Sequence, residues 1–249
     1  MPIFGTLDVK PLLADAPLLE RLDTEPWTLP GAEVLHVLHE IDAAAMQTLL
    51  PPALHPTIPP TSHLVVTRVP ESPVGPFVLA QARVGCRAGA FQRGLVTRAF
   101  CDSPRAASEL RQRFGFDVRP ARVRLSSHYD RVEAEVALDG RRILGCGLVD
   151  PVAIGQGDVR YVDVLNLARV VRDGEERARL VQLDAVYSVL RADRGRPVLQ
   201  AFDAAAWRAD GLLPRWAVSG SFCRVDLTLP RPRYLVDPLR PAFQATERI

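Results

Sequence analysis

The fold is decided by residues 131–149, which read RVEAEVALDGRRILGCGLV. Every second residue from Val132 to Leu138 is apolar, and the residues between them are mostly charged, which is the period of a strand with one buried face. Asp139 and Gly140 follow, a pair that favours the positive φ angles of a two-residue hairpin turn. A second apolar run then returns the chain. The stretch therefore predicts an antiparallel β-hairpin.

The rest of the chain repeats this strand signal and adds few helices. Further strands are predicted at residues 32–38, 63–69, 77–87, 159–165, 180–190 and 216–229. Asp42 can cap a helix over residues 43–50, and Ser103 can cap one over residues 104–114, with Gly115 at its end. The sequence thus predicts a mainly β (α+β) protein. We expect a closed or nearly closed antiparallel β-barrel with a central cavity and two or three short peripheral helices.

Composition narrows the function classes. The 249 residues are 47% hydrophobic and 24% charged, which allows one sizeable core or two small ones. We expect one domain, with residues 1–30 as a proline-rich lead-in and residues 31–249 as the barrel domain. The charged residues leave no apolar run long enough for a membrane span, so a cytoplasmic protein is expected. The net charge of +2 and the scattered arginines argue against nucleic acid as a partner. A small-molecule substrate or ligand is the expected partner.

Cofactor and metal motifs are missing from the sequence. The four cysteines are far apart and form no CxxC pair. His36 and His39 are three apart, which in a strand places them on opposite faces. The glycines form no dinucleotide-binding or phosphate-binding loop. We therefore expect neither a metal nor a cofactor. Among the 31 basic residues, Lys10 is the only lysine.

Five stretches resemble the acetoacetate decarboxylase family in order and spacing. They are EIDAAAMQTLLPPAL (40–54), ESPVGPF (71–77), FCDSPRAASELRQRFGFDV (100–118), RYVDVLNLARV (160–170) and RGRPVLQAFDAAAWRADGLLP (194–214). Each motif is weak alone, but together they span most of the chain and agree with the barrel. The resemblance also implies a homo-oligomer.

The resemblance implies a pocket whose catalytic lysine has been lost. In the family, a lysine amine attacks a keto group, and the resulting iminium draws electrons from the bond to carbon dioxide. The family spacing places Val118 at the position of that lysine, Arg119 at its neighbour and Leu79 at the pocket glutamate. Gln112 replaces an acidic residue, whereas Arg111 matches the family. Because valine cannot form an imine, the chain is not expected to act as an acetoacetate decarboxylase.

The remaining candidates are polar residues and residues of the expected pocket wall. His128 is the first candidate acid or base because histidine as a residue type has an unperturbed pKa near neutrality and Asp130 is close in sequence. Arg111 either binds a carboxylate or forms a structural ion pair. The candidate catalytic residues are His128, Arg111 and Gln112, and the candidate substrate-binding residues are Leu79, Gln81, Phe116, Val118, Arg119, Tyr161 and Gln182.

Two functions remain open from the sequence. The first is a lysine-independent enzyme of secondary metabolism, of the lyase or cyclase type, that acts on a keto acid or polyketide-like molecule. Acid and base groups in the barrel pocket would catalyse cyclisation, dehydration, hydrolysis or decarboxylation. The second is a non-catalytic binding protein for a small apolar or aromatic ligand, which Val118 and Leu79 favour by making the pocket more apolar.

Overall fold

The computed structural model describes residues 3–249 and is mainly β; Met1 and Pro2, the start of the predicted lead-in, lie outside the described residues. The strands are β1 (Leu18–Leu19), β2 (Trp27–Glu40), β3 (His55–Pro56), β4 (Thr61–Val69), β5 (Phe77–Ala88), β6 (Phe91–Cys101), β7 (Val118–Pro120), β8 (Arg122–Ser127), β9 (Arg131–Leu138), β10 (Arg141–Ala153), β11 (Asp163–Arg172), β12 (Glu175–Leu183), β13 (Val186–Phe202), β14 (Trp216–Leu229), β15 (Tyr234–Val236) and β16 (Thr246–Arg248). The helices are α1 (Lys10–Leu13), α2 (Ala43–Leu49), α3 (Pro104–Phe114) and α4 (Ala242–Ala245), with a 3-10 turn at Gln156–Asp158.

The strands form one strongly curved sheet. Its order is β16-β15-β12-β11-β6-β5-β4-β2-β14-β13-β10-β9-β8, while β1, β3 and β7 pair at its side. Strand β8 lies against β4, β5 and β6. No strand pairing within residues 3–249 joins β16 to β8, so the sheet is not closed. The predicted antiparallel β architecture is therefore present, and the predicted closed barrel is present only in part.

The hairpin that suggested the fold is confirmed. Strands β9 and β10 pair in antiparallel register around Asp139 and Gly140, whose φ angles are 51° and 79°. Two other predicted strands were misplaced. The strand expected at residues 159–165 begins only at Asp163 and continues to Arg172. The strand expected at residues 180–190 is interrupted after Leu183, and β13 then runs seventeen residues from Val186.

Both predicted helices form with the expected caps. The Asp42 carboxylate accepts hydrogen bonds from the backbone N–H groups of Ala44 and Ala45. At α3 the Ser103 hydroxyl accepts from Ala106 N, and Gly115 ends the helix in the left-handed region at φ 71°. Side-chain capping satisfies backbone donors that the first helical turn leaves free.

The apolar residues form two main core clusters. The first joins α2 to the inner faces of β4, β5, β8, β9 and β10. The second lies between α3 and the strands β2, β5, β13 and β14, and it contains Phe116 and Val118. The second cluster surrounds the cavity described below. None of the helices in residues 3–249 is long and apolar enough to cross a membrane.

Candidate functional site

A small inner cavity lies inside the second core cluster. Its volume is about 30 Å³, enough for about two water molecules. Strands β4, β5, β11, β12 and β14 and helix α3 contribute its mostly apolar walls. The polar residues that line it are Thr67, Gln81, Arg83, Asp163 and Tyr187.

Arg83 places an unpaired positive charge beside this cavity. The residue is only 5% exposed. Its Nε donates to Gln81 Oε1 at 2.7 Å and its Nη1 donates to Val162 O at 3.3 Å. No carboxylate of residues 3–249 lies within 4.0 Å of the guanidinium. Burial lowers the pKa of Arg83, and Tyr187 and the more distant Asp163, which also line the cavity, oppose this shift. A buried guanidinium without a carboxylate is costly, because arginine remains protonated in proteins.

A second, outer pocket opens next to the inner cavity, with Val162 as a shared wall. Its volume is about 230 Å³. His36 and His63 line it together with Ser219 and Ser221, and the exposed Arg160 and Arg194 lie at its rim. The outer pocket provides a polar entrance, and the inner cavity contains the buried guanidinium of Arg83.

His36 and His63 form a hydrogen-bonded pair on neighbouring strands. Because Leu38 of β2 is opposite His63 of β4, His36 and His63 are diagonal neighbours on one face of the sheet. Nε2 of His36 lies 2.9 Å from Nδ1 of His63, and the two rings stack with centroids 5.2 Å apart. Either nitrogen can be the donor of this hydrogen bond.

The surroundings keep this histidine pair neutral. Burial, reinforced by the charge of Arg83, lowers the pKa of His36 to about 4. Burial lowers the pKa of His63 well below its ordinary value, with further contributions from His36 and Arg83. At neutral pH each ring carries one N–H and one lone pair. Because one ring accepts the hydrogen bond between them, only the donor ring keeps a free lone pair that can accept a proton.

Two buried polar atoms, one in the pair and one next to it, have no hydrogen-bond partner in the part of the chain that the structure describes. They are Nε2 of His63 and the hydroxyl of Tyr161. The Tyr161 ring stacks on Tyr187 at 4.2 Å and lies 5.9 Å from the His36 ring. Burial raises the pKa of Tyr161, so its hydroxyl stays protonated as a donor. Buried polar atoms are rarely left unsatisfied, and such atoms at a cavity are free to contact a ligand.

The predicted residues Leu79, Gln81 and Phe116 line the inner cavity. Val118 is 1% exposed and packs in the same core cluster on β7. Tyr161 packs beside them, between the inner cavity and the outer pocket. These predicted residues are therefore brought together in space.

The other predicted residues lie elsewhere. Gln182 donates to the carboxylate of Asp184 at 3.0 and 2.9 Å. Gln112 is exposed and donates to Ser108 Oγ at 3.1 Å. His128 lies in the exposed turn between β8 and β9, in a surface groove with Asp130.

Arg111 and Arg119 belong to an ion-pair cluster on the opposite face of the segment that carries Phe116 and Val118. Arg111 Nη1 lies 3.0 Å from Asp117 Oδ1, and Arg119 Nη2 lies 3.2 Å from Asp15 Oδ2. Asp117 itself is 8% exposed. This arrangement corresponds to the structural ion pair that the sequence left open for Arg111.

The histidine pair is not evident from spacing along one strand, which predicts only that His36 and His39 lie on opposite faces. The available signal was the alternation in both segments, which places one histidine of each on the same face once β2 and β4 are paired. Within residues 3–249, the structure holds no group of three or more side chains suited to a metal ion.

No protein-family model matches the sequence, and no curated protein matches it. Solved structures do match the fold. An acetoacetate decarboxylase from Legionella pneumophila subsp. pneumophila str. Philadelphia 1 is 20% identical, with a TM-score of 0.72 over 84% of this chain and 86% of that chain. An acetoacetate decarboxylase-like enzyme from Sphingomonas wittichii RW1 is 16% identical, with a TM-score of 0.66 over 84% and 92%.

The enduracididine biosynthesis enzyme MppR is a third structural neighbour. It is 16% identical, with a TM-score of 0.70 over 87% of this chain and 92% of that chain. MppR has been solved with pyruvate and with the condensation product of pyruvate and imidazole 4-carboxaldehyde. At these identities, the comparisons show that the chain shares the fold of acetoacetate decarboxylase and related enzymes.

Proposed function

We propose that this protein is an enzyme that binds a small oxo carboxylate in the barrel and catalyses proton transfer next to its carbonyl group without an imine. The observation that carries the proposal is the neutral His36–His63 pair beside the unpaired guanidinium of Arg83. A base, a cation and a cavity are the parts that such a reaction needs. The pyruvate bound by MppR, a neighbour in fold, supports this substrate class.

Each residue has a separate role in this mechanism. Arg83 anchors the substrate carboxylate, because an anion compensates its buried charge. His63 Nε2 removes a proton from the carbon next to the carbonyl, while His36 holds the ring in the required tautomer. The Tyr161 hydroxyl donates to the carbonyl oxygen as negative charge develops there. The resulting enolate can then be protonated, lose a leaving group or close a ring.

The single lysine supports a mechanism without an imine. Lys10 is exposed on α1 and lines neither the inner cavity nor the outer pocket. Imine catalysis needs an amine in contact with the substrate carbonyl. The proposed chemistry therefore depends on hydrogen-bond donors and a base.

The alternative, a binding protein for an apolar ligand, has less support. The buried guanidinium of Arg83 beside the inner cavity disfavours an uncharged ligand. Secondary metabolism, cyclisation, a cytoplasmic location and a homo-oligomer stay predictions from the sequence.

The experiment measures deuterium incorporation into pyruvate, 2-oxobutyrate and acetoacetate in D2O by NMR. We expect exchange at the carbon next to the carbonyl to exceed the buffer rate for at least one acid. His63→Gln should reduce the rate about a hundredfold or more, as expected for loss of a general base. His128→Gln is the matched control, and it should keep the wild-type rate. Arg83→Met should mainly weaken substrate binding.

Three outcomes would contradict the proposal. One is exchange at the buffer rate for all three acids. Another is a trapped adduct: after borohydride reduction with pyruvate, the intact mass should be unchanged, and an increase would show that an imine had formed. A loss of activity in His128→Gln with full activity in His63→Gln would move the catalytic base to the surface groove.

A further inference from the structure

Another pocket, distinct from the inner cavity and the outer pocket, lies outside the barrel, beneath the stretch of residues 8–16. We call this stretch the strap and the space below it the strap pocket. The pocket volume is about 370 Å³, within the range of small-ligand sites. Most of its walls are aliphatic and come from the strap, α2, β6, β11 and β12; they include Val9, Leu12, Leu49, Leu95, Leu167 and Leu180. Such walls suit a flexible hydrocarbon chain.

The strap is fixed at its two ends. Before it, the N–H groups of Gly5 and Leu7 donate to Leu54 O and Leu50 O, both at 2.9 Å. After it, Pro17 O accepts from Arg169 N at 2.8 Å, and β1 pairs with β11. Between these points, every hydrogen bond from the strap to the rest of residues 3–249 involves Asp15. Lifting the strap would therefore break the hydrogen bonds of Asp15 but no backbone–backbone hydrogen bond to the rest of residues 3–249.

The ion-pair cluster forms one end of the strap pocket, where Asp117 and Arg208 line the wall. Arg98 Nε, Arg111 Nη1 and Arg208 Nη1 lie 3.3, 3.0 and 3.1 Å from the Asp117 carboxylate. The members of the cluster are Arg98, Arg111, Arg119, Arg208, Asp15 and Asp117. The cluster thus has four guanidinium groups and two carboxylates. Of its members, Arg208 and Asp117 line the pocket, together with Asp210.

This excess of positive charge is not fully compensated within the described chain. Burial lowers the pKa of Arg98, and although Asp117 opposes this shift, repulsion from Arg208 and Arg119 adds to it. The buried Nε of Arg119 makes no hydrogen bond within residues 3–249. An added anion at Arg208 would reduce the repulsion among these guanidinium groups.

We propose that the strap pocket binds a medium-chain aliphatic carboxylate, with its hydrocarbon chain against the leucines and its carboxylate at Arg208. The aliphatic walls favour the hydrocarbon chain, and the guanidinium of Arg208 favours the carboxylate against the opposing charges of Asp117 and Asp210. This site is separate from the barrel site, since the strap pocket shares no lining residue with the inner cavity or the outer pocket.

The test uses calorimetric titration of the whole protein with hexanoate, octanoate, decanoate and decanol. We expect affinity for the acids to rise about threefold per methylene added, since each methylene leaves water. Arg208→Gln should weaken decanoate binding about tenfold or more, because a hydrogen bond to a charged group is lost. Asp210→Asn should strengthen it about twofold by removing an exposed like charge.

The controls show where the ligand binds, and they distinguish the loss of the Arg208 charge from a loss of folding. Decanol binding should be unchanged in Arg208→Gln, which shows that the pocket persists in this variant. Ala205→Phe, a change at an exposed residue of the wall, should weaken both decanoate and decanol. Equal responses of decanoate and decanol to Arg208→Gln would overturn the proposal. So would decanoate binding that survives Ala205→Phe and is lost in Arg83→Met, because the acid would then occupy the barrel.

Discussion

At the scale of single residues, the barrel places Arg83 beside His36 and His63, where the charge of the arginine makes protonation of the two histidines less favourable. Burial lowers the pKa of both His36 and His63, and the charge of Arg83 adds to the shift. A protonated histidine pair would place more positive charge next to an arginine that has no carboxylate partner. The same arrangement that keeps a base available at neutral pH therefore makes the fold sensitive to acid.

We predict that the free energy of unfolding falls as the pH is lowered from about 6.5 towards 4. The pKa of His36 is about 4 in the folded protein and about 6.5 in the unfolded chain. Between these pH values, His36 binds a proton in the unfolded chain but not in the folded protein. This difference removes at most about 1.4 kcal/mol per pH unit in that window. Urea unfolding at several pH values measures the slope.

The variant His36→Gln should have a shallower slope than the wild type between pH 6.5 and 5. Gln92→Ala is the matched control, because Gln92 lines the same outer pocket and does not titrate. An unchanged slope in His36→Gln would show that His36 is not held neutral by the fold.

Part of this site could be predicted from the sequence and part could not. Leu79, Gln81 and Phe116 were found through resemblance and alternation, and they line the inner cavity. His36 and His63 are 27 positions apart and meet only through the register of β2 with β4. Sequence spacing along one strand cannot reveal a pair that depends on the pairing of two strands.

At the scale of elements, local chemistry was sufficient where a cap or a turn required a particular residue. Helix α3 begins after Ser103 and ends at Gly115, as the residue types indicate. Strand limits were harder to predict, because β11 and β13 continue through charged and small residues that alternation alone does not favour. Pairing with neighbouring strands supplies the hydrogen bonds that extend them.

We predict that Gly115→Ala destabilises the protein more than Gly140→Ala. Both glycines have positive φ, at 71° and 79°, so alanine costs about 1 kcal/mol of backbone strain at either site. At Gly115 the new Cβ would also lie 3.1 Å from Leu19 Cδ1 and 3.2 Å from Ala168 Cβ. At Gly140 it would meet no atom within 4 Å among the described residues.

Crowding at Gly115 should add about 1–3 kcal/mol to the strain. Denaturant unfolding of the two variants measures the difference, and Gly140→Ala serves as the control for the strain alone. Equal losses would mean that Leu19 and Ala168 move aside without cost.

At the scale of the whole molecule, the lead-in is held to the sheet partly by charge. Asp15 joins the strap to Arg111, Arg119 and Arg208 through its backbone oxygen and its carboxylate. These arginines come from α3, β7 and the turn that follows β13, so one aspartate connects segments that are far apart in sequence.

We predict that Asp15→Ala increases amide hydrogen exchange in residues 8–16 and leaves the exchange of β2 and β14 unchanged. The ends of the strap keep their backbone hydrogen bonds, so the opening should be local. Mass spectrometry of peptides from the exchanged protein measures the effect. Asp23→Ala is the control, since Asp23 pairs with Arg21 on the surface. Protection of the strap in both variants would show that its apolar contacts alone hold it.

The single lysine has a practical consequence for chemical labelling. Lys10 is exposed on α1, in the strap, and carries the only side-chain amine of the chain. Acylating reagents that modify dozens of sites on most proteins would place one side-chain dye on this molecule, directly above the strap pocket. Fluorescence anisotropy of that dye would then follow the motion of the strap in solution, with every catalytic candidate left chemically unmodified.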